Sequence, residues 1–166
     1  MIFSTIDGHQ TALLWDEQVY THYEVPFSFR YTNFRLPRFI NGSEELYNRI
    51  YKGKPYVLIH RKTGHMPQGI PVEIENFRIS IGLSQDVDII EIDPSMTNNL
   101  MHYVKLIENA AEIHCVNSSF FCLVDSIYNY TRANLYFHDV RASSLIRVNS
   151  DYNRHSWNVV KYGIRV

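Results

Sequence analysis

Residues 112–127 have the sequence EIHCVNSSFFCLVDSI, and this stretch decides the fold. Its first part, Glu112–Val116, is a short, mainly apolar run, which is typical of a buried parallel strand. A polar Asn-Ser-Ser turn follows at 117–119, and the apolar residues from Phe120 onward recur at helical spacing. The stretch therefore predicts a strand that passes through a short turn into a helix.

Similar units lie on both sides of this stretch. Three more runs predict strands, at Tyr56–Ile59, Val87–Ile92 and Asn134–Asp139. A helix beginning at Asn98 or Asn99 separates the second of these strands from residue 112. Alternation of strand and helix at this spacing connects parallel neighbours by right-handed crossovers. We therefore expect a Rossmann-like unit from about Pro55 to Asp139.

The remaining segments are less regular. Residues 64–69 predict a loop, residues 72–81 predict one strand or two, and residues 157–160 predict a strand or a helix. Before Pro55 we expect a helix within 11–23, an extended connector over 25–34 and a helix starting at Ser43. The predicted fold is thus α/β. Residues 1–53 form a helical and extended N-terminal arm, and residues 54–166 form a Rossmann-like three-layer domain with a mostly parallel sheet.

Composition limits the classes of function. The 166 residues are 45% hydrophobic and 20% charged, as in ordinary globular proteins, and the net charge is −1. Such a chain lacks the basic excess of nucleic-acid-binding proteins, so we expect no nucleic-acid partner. No apolar run has the length of a membrane span, and the first residues do not resemble a signal peptide. With only two cysteines, we expect a cytoplasmic protein without disulfides.

Open α/β sheets bind ligands beyond the carboxyl ends of their strands. The candidate substrate-binding residues are the polar and aromatic side chains predicted at those ends: His60, Arg61, Lys62, Asn117, Ser118, Ser119, Phe120, His138 and Asp139. Free N–H groups and the helix dipole make the start of the helix after Ser118 suitable for an anion. Arg61 and Lys62 would supply the positive charge that a diphosphate needs. The alternative is that Ser118 only caps a helix and that Arg61 and Lys62 form a solvated edge.

Other kinds of site have less support. The spacing of His60 and His65 is not that of a usual zinc pair, and neither CxxC nor HExxH occurs, so we predict no metal site. His114 is expected to be a satisfied histidine within a strand. GxGxxG, Walker A and GxSxG sequences are also missing. Five carboxylates are candidates for a base, without a feature that selects one: Asp88, Glu91, Asp93, Asp125 and Asp139.

Two segments together resemble a known family. Residues 56–65, YVLIHRKTGH, resemble the strand and basic loop that open the donor-binding domain of fucosyltransferase-like GT-B glycosyltransferases. Residues 112–120 resemble the later strand and Asn-Ser-Ser-Phe turn of the same group. Their order and separation also agree. Residues 25–38 look like the stretch that precedes this domain in glycosyltransferase-like proteins of bacteria and viruses.

The resemblance implies a protein that binds a nucleoside-diphosphate sugar and transfers the sugar to a glycan or another hydroxyl acceptor, without a metal or cofactor. Arg61 would bind the donor diphosphate together with residues 117–119, and His60 and Phe120 would support them. Arg61-Lys62-Thr63-Gly64 replaces the paired arginines and Gly-Asp of the family, which leaves the sugar and base open. Only about 50 residues precede Pro55, so residues 1–53 would be an arm or the remnant of an acceptor-side domain. A missing domain or a partner chain would then complete the site.

Two alternatives belong to other functional classes. The same pocket in a non-catalytic module would hold a nucleotide or phosphosugar without transfer. In a protein-interaction domain the aromatic-rich arm would dock on a partner. The aromatic residues concerned are Tyr20, Tyr23, Phe27, Phe29, Tyr31 and Phe34.

Overall fold

The computed structural model describes residues 15–37, 40–65, 71–73, 86–127, 131–139 and 157–161. Its strands are β1 (Tyr56–His60), β2 (Lys62–His65), β3 (Pro71–Glu73), β4 (Asp88–Glu91), β5 (Glu112–Val116), β6 (Asn134–Asp139) and β7 (Trp157–Lys161). Five of them form one sheet in the order β4-β1-β5-β6-β7, and every neighbouring pair is parallel. The α/β fold expected from the sequence is confirmed, and the open question about residues 157–160 is answered by a strand.

The helices are α1 (Trp15–His22), α2 (Phe29–Thr32), α3 (Ser43–Ile50), α4 (Val104–Asn109) and α5 (Ser119–Ser126), and a 3-10 turn over Leu100–Tyr103 leads into α4. The prediction of an extended connector over 25–34 was wrong at Phe29–Thr32, which form one helical turn. The predicted loop at 64–69 was wrong at its start, because Gly64 and His65 belong to β2, which pairs antiparallel with β3. Residues 11–14, 66–69 and 74–81 of the predicted segments lie outside the described part of the chain.

Local sequence explains where the helices of the main unit begin. Asn99 precedes the 3-10 turn, and its Oδ1 accepts a hydrogen bond from the Met101 N–H at 3.0 Å. Ser118 caps α5 in the same way. Helix α3 begins differently, because Gly42 with φ 83° occupies the capping position. A Cβ at Gly42 would also lie 2.6 Å from Nε2 of His102, so only glycine fits there.

The core lies between one face of the sheet and helices α3, α4 and α5. Alternate residues of the strands point into it, among them Leu58 and Ile113, both fully buried. Helix α3 contributes Leu46 to the same core, and the Ser43 Oγ accepts a hydrogen bond from the Lys105 N–H at 2.9 Å. Helix α3 therefore packs as part of the helical layer. The predicted boundary between arm and domain, at residues 53 and 54, stays a prediction.

Helix α2 is joined to the sheet through a buried carboxylate. Asp125 of α5 accepts a hydrogen bond from the Trp157 indole N–H at 3.0 Å, and it pairs with Arg30 of α2 at 3.4 Å. Both Arg30 and Asp125 are buried. The pair therefore links α2, α5 and β7 around one acidic group.

Candidate functional site

The strand order places a topological switch point between β1 and β5. Numbered along the chain, the five sheet strands have the order 2-1-3-4-5, so the chain leaves β1 toward β4 and returns on the other side to β5. Ligands of doubly wound sheets bind in the crevice beyond the carboxyl ends of the two strands at such a point. His60 ends β1, and the turn at 117–119 follows β5, so two of the sequence segments singled out above meet at this crevice.

His60 and Ser118 contact each other across the switch point. The Ser118 Oγ accepts a hydrogen bond from the Phe121 N–H at 3.3 Å, donates one to the Val116 carbonyl at 3.0 Å, and lies 3.2 Å from Nδ1 of His60. Since the hydroxyl proton is directed to Val116, neutral His60 donates its Nδ1–H to Ser118 and has an unprotonated Nε2. The capping role weighed for Ser118 is thus observed, and the same hydroxyl also orients His60.

Burial lowers the pKa of His60 to about 4, and the nearby charge of Glu91 offsets part of that effect. His60 is therefore neutral at physiological pH. Phe120 packs against the His60 ring, with ring centroids 5.3 Å apart. Tyr103 packs edge-on against Phe120, with centroids 5.9 Å apart. The aromatic residues form a buried wall behind the imidazole.

The other residues of the turn offer polar groups beside this contact. Ser119 is exposed as the first residue of α5. The Asn117 side-chain nitrogen Nδ2 is buried and has no hydrogen-bond partner among the described residues. Helix α5 has eight residues, and the N–H groups of its first turn have no intrahelical acceptors. The turn therefore presents the exposed Ser119 hydroxyl and the positive end of a helix dipole, while the Asn117 Nδ2 is enclosed and the Ser118 hydroxyl proton is directed to Val116.

Arg61 lies at the same rim, paired with the end of β4. Its Nε donates to the Glu91 Oε1 at 2.6 Å, and its Nη2 bonds to the Glu91 Oε2, so the two planar groups pair through two bonds. The side chains are 36% and 35% exposed. The structure does not describe the side chain of the neighbouring Lys62, whose backbone begins β2.

His138 is not brought together with these residues. It is fully buried on the opposite face of the sheet, where its Nε2 lies 2.8 Å from Nδ1 of His114, and the His114 Nε2 lies 2.6 Å from Oε1 of Glu112. Tyr136 stacks on His114 with centroids 4.5 Å apart. Asp139 ends β6 and is partly exposed. We call Glu112, His114 and His138 the buried relay.

Both histidines of the buried relay are neutral at physiological pH. Burial lowers the pKa of His114, with Glu112 offsetting part of the shift. Burial, reinforced by His114, lowers the pKa of His138 to about 4. Neutral His114 then donates its Nε2–H to Glu112 and accepts the Nε2–H of His138 at Nδ1. His114 is thus a satisfied histidine within a strand, as expected.

Sequence reasoning missed two members of these arrangements. Glu91 appeared only among five undifferentiated carboxylates, and Glu112 was regarded as an ordinary strand residue. The signal for the relay was present, because Glu112 and His114 are two positions apart and so share one face of a strand. His138 lies on the same face of the sheet because of the register of β5 with β6, in which Val116 and His138 are paired positions.

Other parts of the described chain offer less. A cavity of about 530 Å³ lies between α3 and α4, and none of the predicted site residues lines it. Among the residues that the structure describes, no cluster of His, Cys, Asp or Glu is placed to hold a metal ion. Burial raises the pKa of the Cys115 thiol well above its ordinary value, so the thiol stays protonated.

None of the described helices is long and apolar enough to span a membrane. Comparison of the chain with protein-family models, with curated proteins and with solved structures finds no match.

Proposed function

We propose that this chain binds a nucleoside-diphosphate sugar in the crevice between the ends of β1 and β5, as the donor-binding half of a glycosyltransferase. The observation that carries the proposal is the contact of His60 with Ser118 at the switch point, beside the first turn of α5. Two segments chosen from sequence alone converge there, and such a crevice is where sheets of this topology take their ligands. The resemblance of both segments to fucosyltransferase-like enzymes supports the same assignment.

The chemistry assigned to the crevice is recognition and stabilisation of a diphosphate. N–H groups at the start of α5 and the Ser119 hydroxyl are donors for phosphate oxygens. Arg61 supplies positive charge once the diphosphate competes with Glu91 for the guanidinium. The same donors would stabilise the diphosphate as it leaves during transfer of the sugar to a hydroxyl. The acceptor side comes from another domain or a partner chain.

Binding without transfer is the second candidate, and the enclosure of His138 favours it. One of the two histidines predicted at the rim is fully buried, and the other, His60, has a pKa of about 4 and is a weak base. Within the described residues, neither histidine therefore suits activation of an acceptor hydroxyl. A nucleotide-binding or phosphosugar-binding module requires no such base.

A thermal-shift panel tests the ligand class. Pyrophosphate, GDP, UDP, GDP-fucose and UDP-glucose are each added at millimolar concentration. A ligand at about 100 times its Kd adds roughly 2.7 kcal/mol to the free energy of unfolding. For a chain of this size, that corresponds to a rise in melting temperature of about 5 to 10 °C. We expect a rise with at least one nucleoside diphosphate, and a flat panel from folded protein would contradict the proposal.

Two arginine variants then locate the binding site. Arg61→Ala is expected to weaken binding of the responding nucleotide by about tenfold or more, because a charge-assisted contact to phosphate is lost. Arg35→Ala is the matched control, since Arg35 is exposed and, within the described part of the chain, its guanidinium bonds to the backbone carbonyls of Thr32 and Phe34. Unchanged affinity in Arg61→Ala would remove the diphosphate assignment.

Transfer is separated from binding by turnover. The responding sugar donor is incubated with the chain and a mixture of sugar acceptors, and release of nucleoside diphosphate is followed over time. Release that depends on an acceptor and is lost in Arg61→Ala would establish glycosyl transfer. Tight donor binding with no release, even with acceptors present, would assign the chain to the non-catalytic class.

A further inference from the structure

Transfer of a sugar to a hydroxyl requires a group that takes the hydroxyl proton, and neither of the two histidines discussed above suits that role. The five carboxylates that the sequence left undifferentiated are the remaining candidates, and the structure separates them. Asp125 is buried, and its oxygens accept the Trp157 N–H and pair with Arg30. Both oxygens of Glu91 accept hydrogen bonds from Arg61. These two carboxylates are therefore already engaged by cations.

Position in the fold decides among the other three. Asp88 is the first residue of β4, so it lies at the edge of the sheet opposite to the crevice. Asp93 follows β4, which is two strands away from β5, and its Oδ1 accepts a hydrogen bond from the Ser95 N–H at 2.8 Å. Asp139 is the last residue of β6, the direct neighbour of β5. Asp139 is thus the carboxylate that stands at the rim beside the crevice.

Asp139 lies on the face of the sheet that carries α5. Side chains alternate along a strand, so Asp139 shares a face with Phe137, whose ring packs against α5. The pairing of β5 with β6 ends at Val116 and His138, so Asp139 stands beside the turn that leads into α5. Neighbouring strands are about 5 Å apart. From that distance a carboxylate reaches a hydroxyl that attacks the carbon next to a diphosphate bound at the turn.

The Asp139 carboxylate is accessible to a ligand. The residue is partly exposed, and within the described part of the chain no hydrogen bond or ion pair engages its side chain. Lys161, which is exposed at the end of β7, occupies the paired position in the register of β6 with β7. The alternative role of Asp139 is therefore a surface pair with Lys161, and a variant of Lys161 separates the two roles.

We propose that Asp139 is the base that accepts the proton of the acceptor hydroxyl during sugar transfer. The inference rests on the proposed function and assigns a residue to its proton-transfer step. The hydroxyl oxygen forms a bond to the anomeric carbon of the donor, and the hydroxyl proton passes to the Asp139 carboxylate. The bond from that carbon to the diphosphate oxygen breaks, and its electron pair leaves with the diphosphate, which Arg61 and the N–H groups of α5 stabilise. Asp139 then releases the proton to water, while another domain or a partner chain holds the acceptor.

Two substitutions of Asp139 test the role of the carboxylate. The sugar donor that responds in the thermal-shift panel is supplied at saturation, and release of nucleoside diphosphate is followed with the acceptor mixture and with water alone as acceptor. Asp139→Asn keeps the size of the side chain but cannot take a proton, so kcat is expected to fall by about a hundredfold or more. The Kd of the donor should not rise, because Arg61 and α5 bind the diphosphate. Asp139→Glu retains a carboxylate and should lose clearly less activity than Asp139→Asn.

Two further variants are matched controls. If Asp139 served only to pair with Lys161, Lys161→Ala and Asp139→Asn would lower kcat equally. With Asp139 as the base, kcat of Lys161→Ala is expected to stay within about fivefold of the wild-type value, because an exposed pair contributes little. Asp88→Asn makes the same chemical change at the opposite edge of the sheet and should leave kcat unchanged.

The outcomes separate this inference from the function on which it rests. Equal kcat in Asp139→Asn and the wild-type protein would overturn the role of Asp139 and leave glycosyl transfer standing. A fall in kcat with a matching loss of donor binding would also overturn it, because the residue would then be structural. A wild-type chain that binds the donor but releases no diphosphate would overturn the base and leave the binding site. Failure of every donor to bind would overturn the proposed function and this inference together.

Discussion

The rim crevice and the buried relay use similar side chains in two different environments. At the rim, His60 bonds to Ser118 and Arg61 bonds to Glu91, and the Arg61 and Glu91 side chains are about a third exposed. In the relay, His138, His114 and Glu112 bond in series and are fully buried. In both places burial lowers the pKa of a histidine to about 4. Residue type and pKa therefore do not distinguish the rim from the buried relay, whereas access to solvent does.

The physical basis of the difference is the cost of an unpaired polar group. A buried donor or acceptor without a partner costs about 1 to 3 kcal/mol, so a change in the relay is felt as lost stability. A rim group that loses its partner is rehydrated, so a change there costs little stability. The expected loss of stability therefore decreases across four predictions, from the buried relay to the rim.

The largest effect is expected from Glu112→Ala. It leaves the His114 Nε2–H without its acceptor and opens a cavity in a fully buried layer, so the free energy of unfolding should fall by about 3 kcal/mol. Glu112→Gln retains an acceptor oxygen and is expected to cost less than about 1.5 kcal/mol. Urea unfolding measures both. Equal losses in the two variants would show that the hydrogen bond does not matter.

Acidification is expected to have the next largest effect, and its sign follows from His138. The pKa is about 4 in the folded chain and about 6.5 in the unfolded chain, so between these values the unfolded state binds more protons. Above pH 6.5 neutral His138 makes its full contribution to the free energy of unfolding. As pH falls to 4, the free energy of unfolding decreases by about 2 to 3 kcal/mol.

His138→Gln isolates that contribution, because glutamine can donate to His114 but does not titrate. Urea unfolding between pH 7 and 4 should give a shallower loss of stability in this variant than in the wild-type protein. His22→Gln, at an exposed position of α1, is the control for replacing a histidine outside the buried relay. Identical slopes in all three proteins would contradict the role of His138.

Ser118→Ala is expected to have a moderate effect at the rim. It removes the cap of α5 and the contact with His60, which should lower the free energy of unfolding by about 1 kcal/mol. Ser119→Ala changes an exposed hydroxyl one residue later and should stay within about 0.5 kcal/mol. Thermal melts of the pair measure the difference. A larger loss in Ser119→Ala would mean that the capping assignment is wrong.

The smallest effect on stability is expected from the ion pair. Arg61→Ala and Glu91→Ala should each change the free energy of unfolding by less than about 1 kcal/mol, because both side chains are partly hydrated. Arg61→Ala should nevertheless weaken binding of the responding nucleotide, as described above. A loss of 3 kcal/mol in either one would place the pair with the buried relay rather than with the crevice.

Much of the fold was predictable because its signals are local. The β5 run, the Asn-Ser-Ser turn and the start of α5 were identified from neighbouring residues, and the structure places the strand and helix as expected. The helical turn at Phe29–Thr32 was missed, since four residues are too few for a periodic signal. Strand β2 was missed in part because Gly64 suggested a loop, while pairing with β3 is a contact distant in sequence.

The candidate site was predictable in part for the same reason. A polar residue directly after a predicted parallel strand lies at the ligand-binding edge wherever the strand sits in the sheet, so His60 and residues 117–119 were identified correctly as rim positions. His138 was also assigned to the rim, but its side chain points into a buried face. Burial depends on what packs above the sheet, and a single sequence does not encode that in nearby residues.

The sequence by itself determined the α/β class, the main strands and which polar residues follow β1 and β5, because these depend on periodicity and chain order. Tertiary structure alone decided that β1 and β5 are neighbours, that Glu91 pairs with Arg61, and that Glu112, His114 and His138 join into one buried relay. Each of these depends on strand order and register. Hydrogen bonds between residues 24 to 58 positions apart form only once the sheet has assembled.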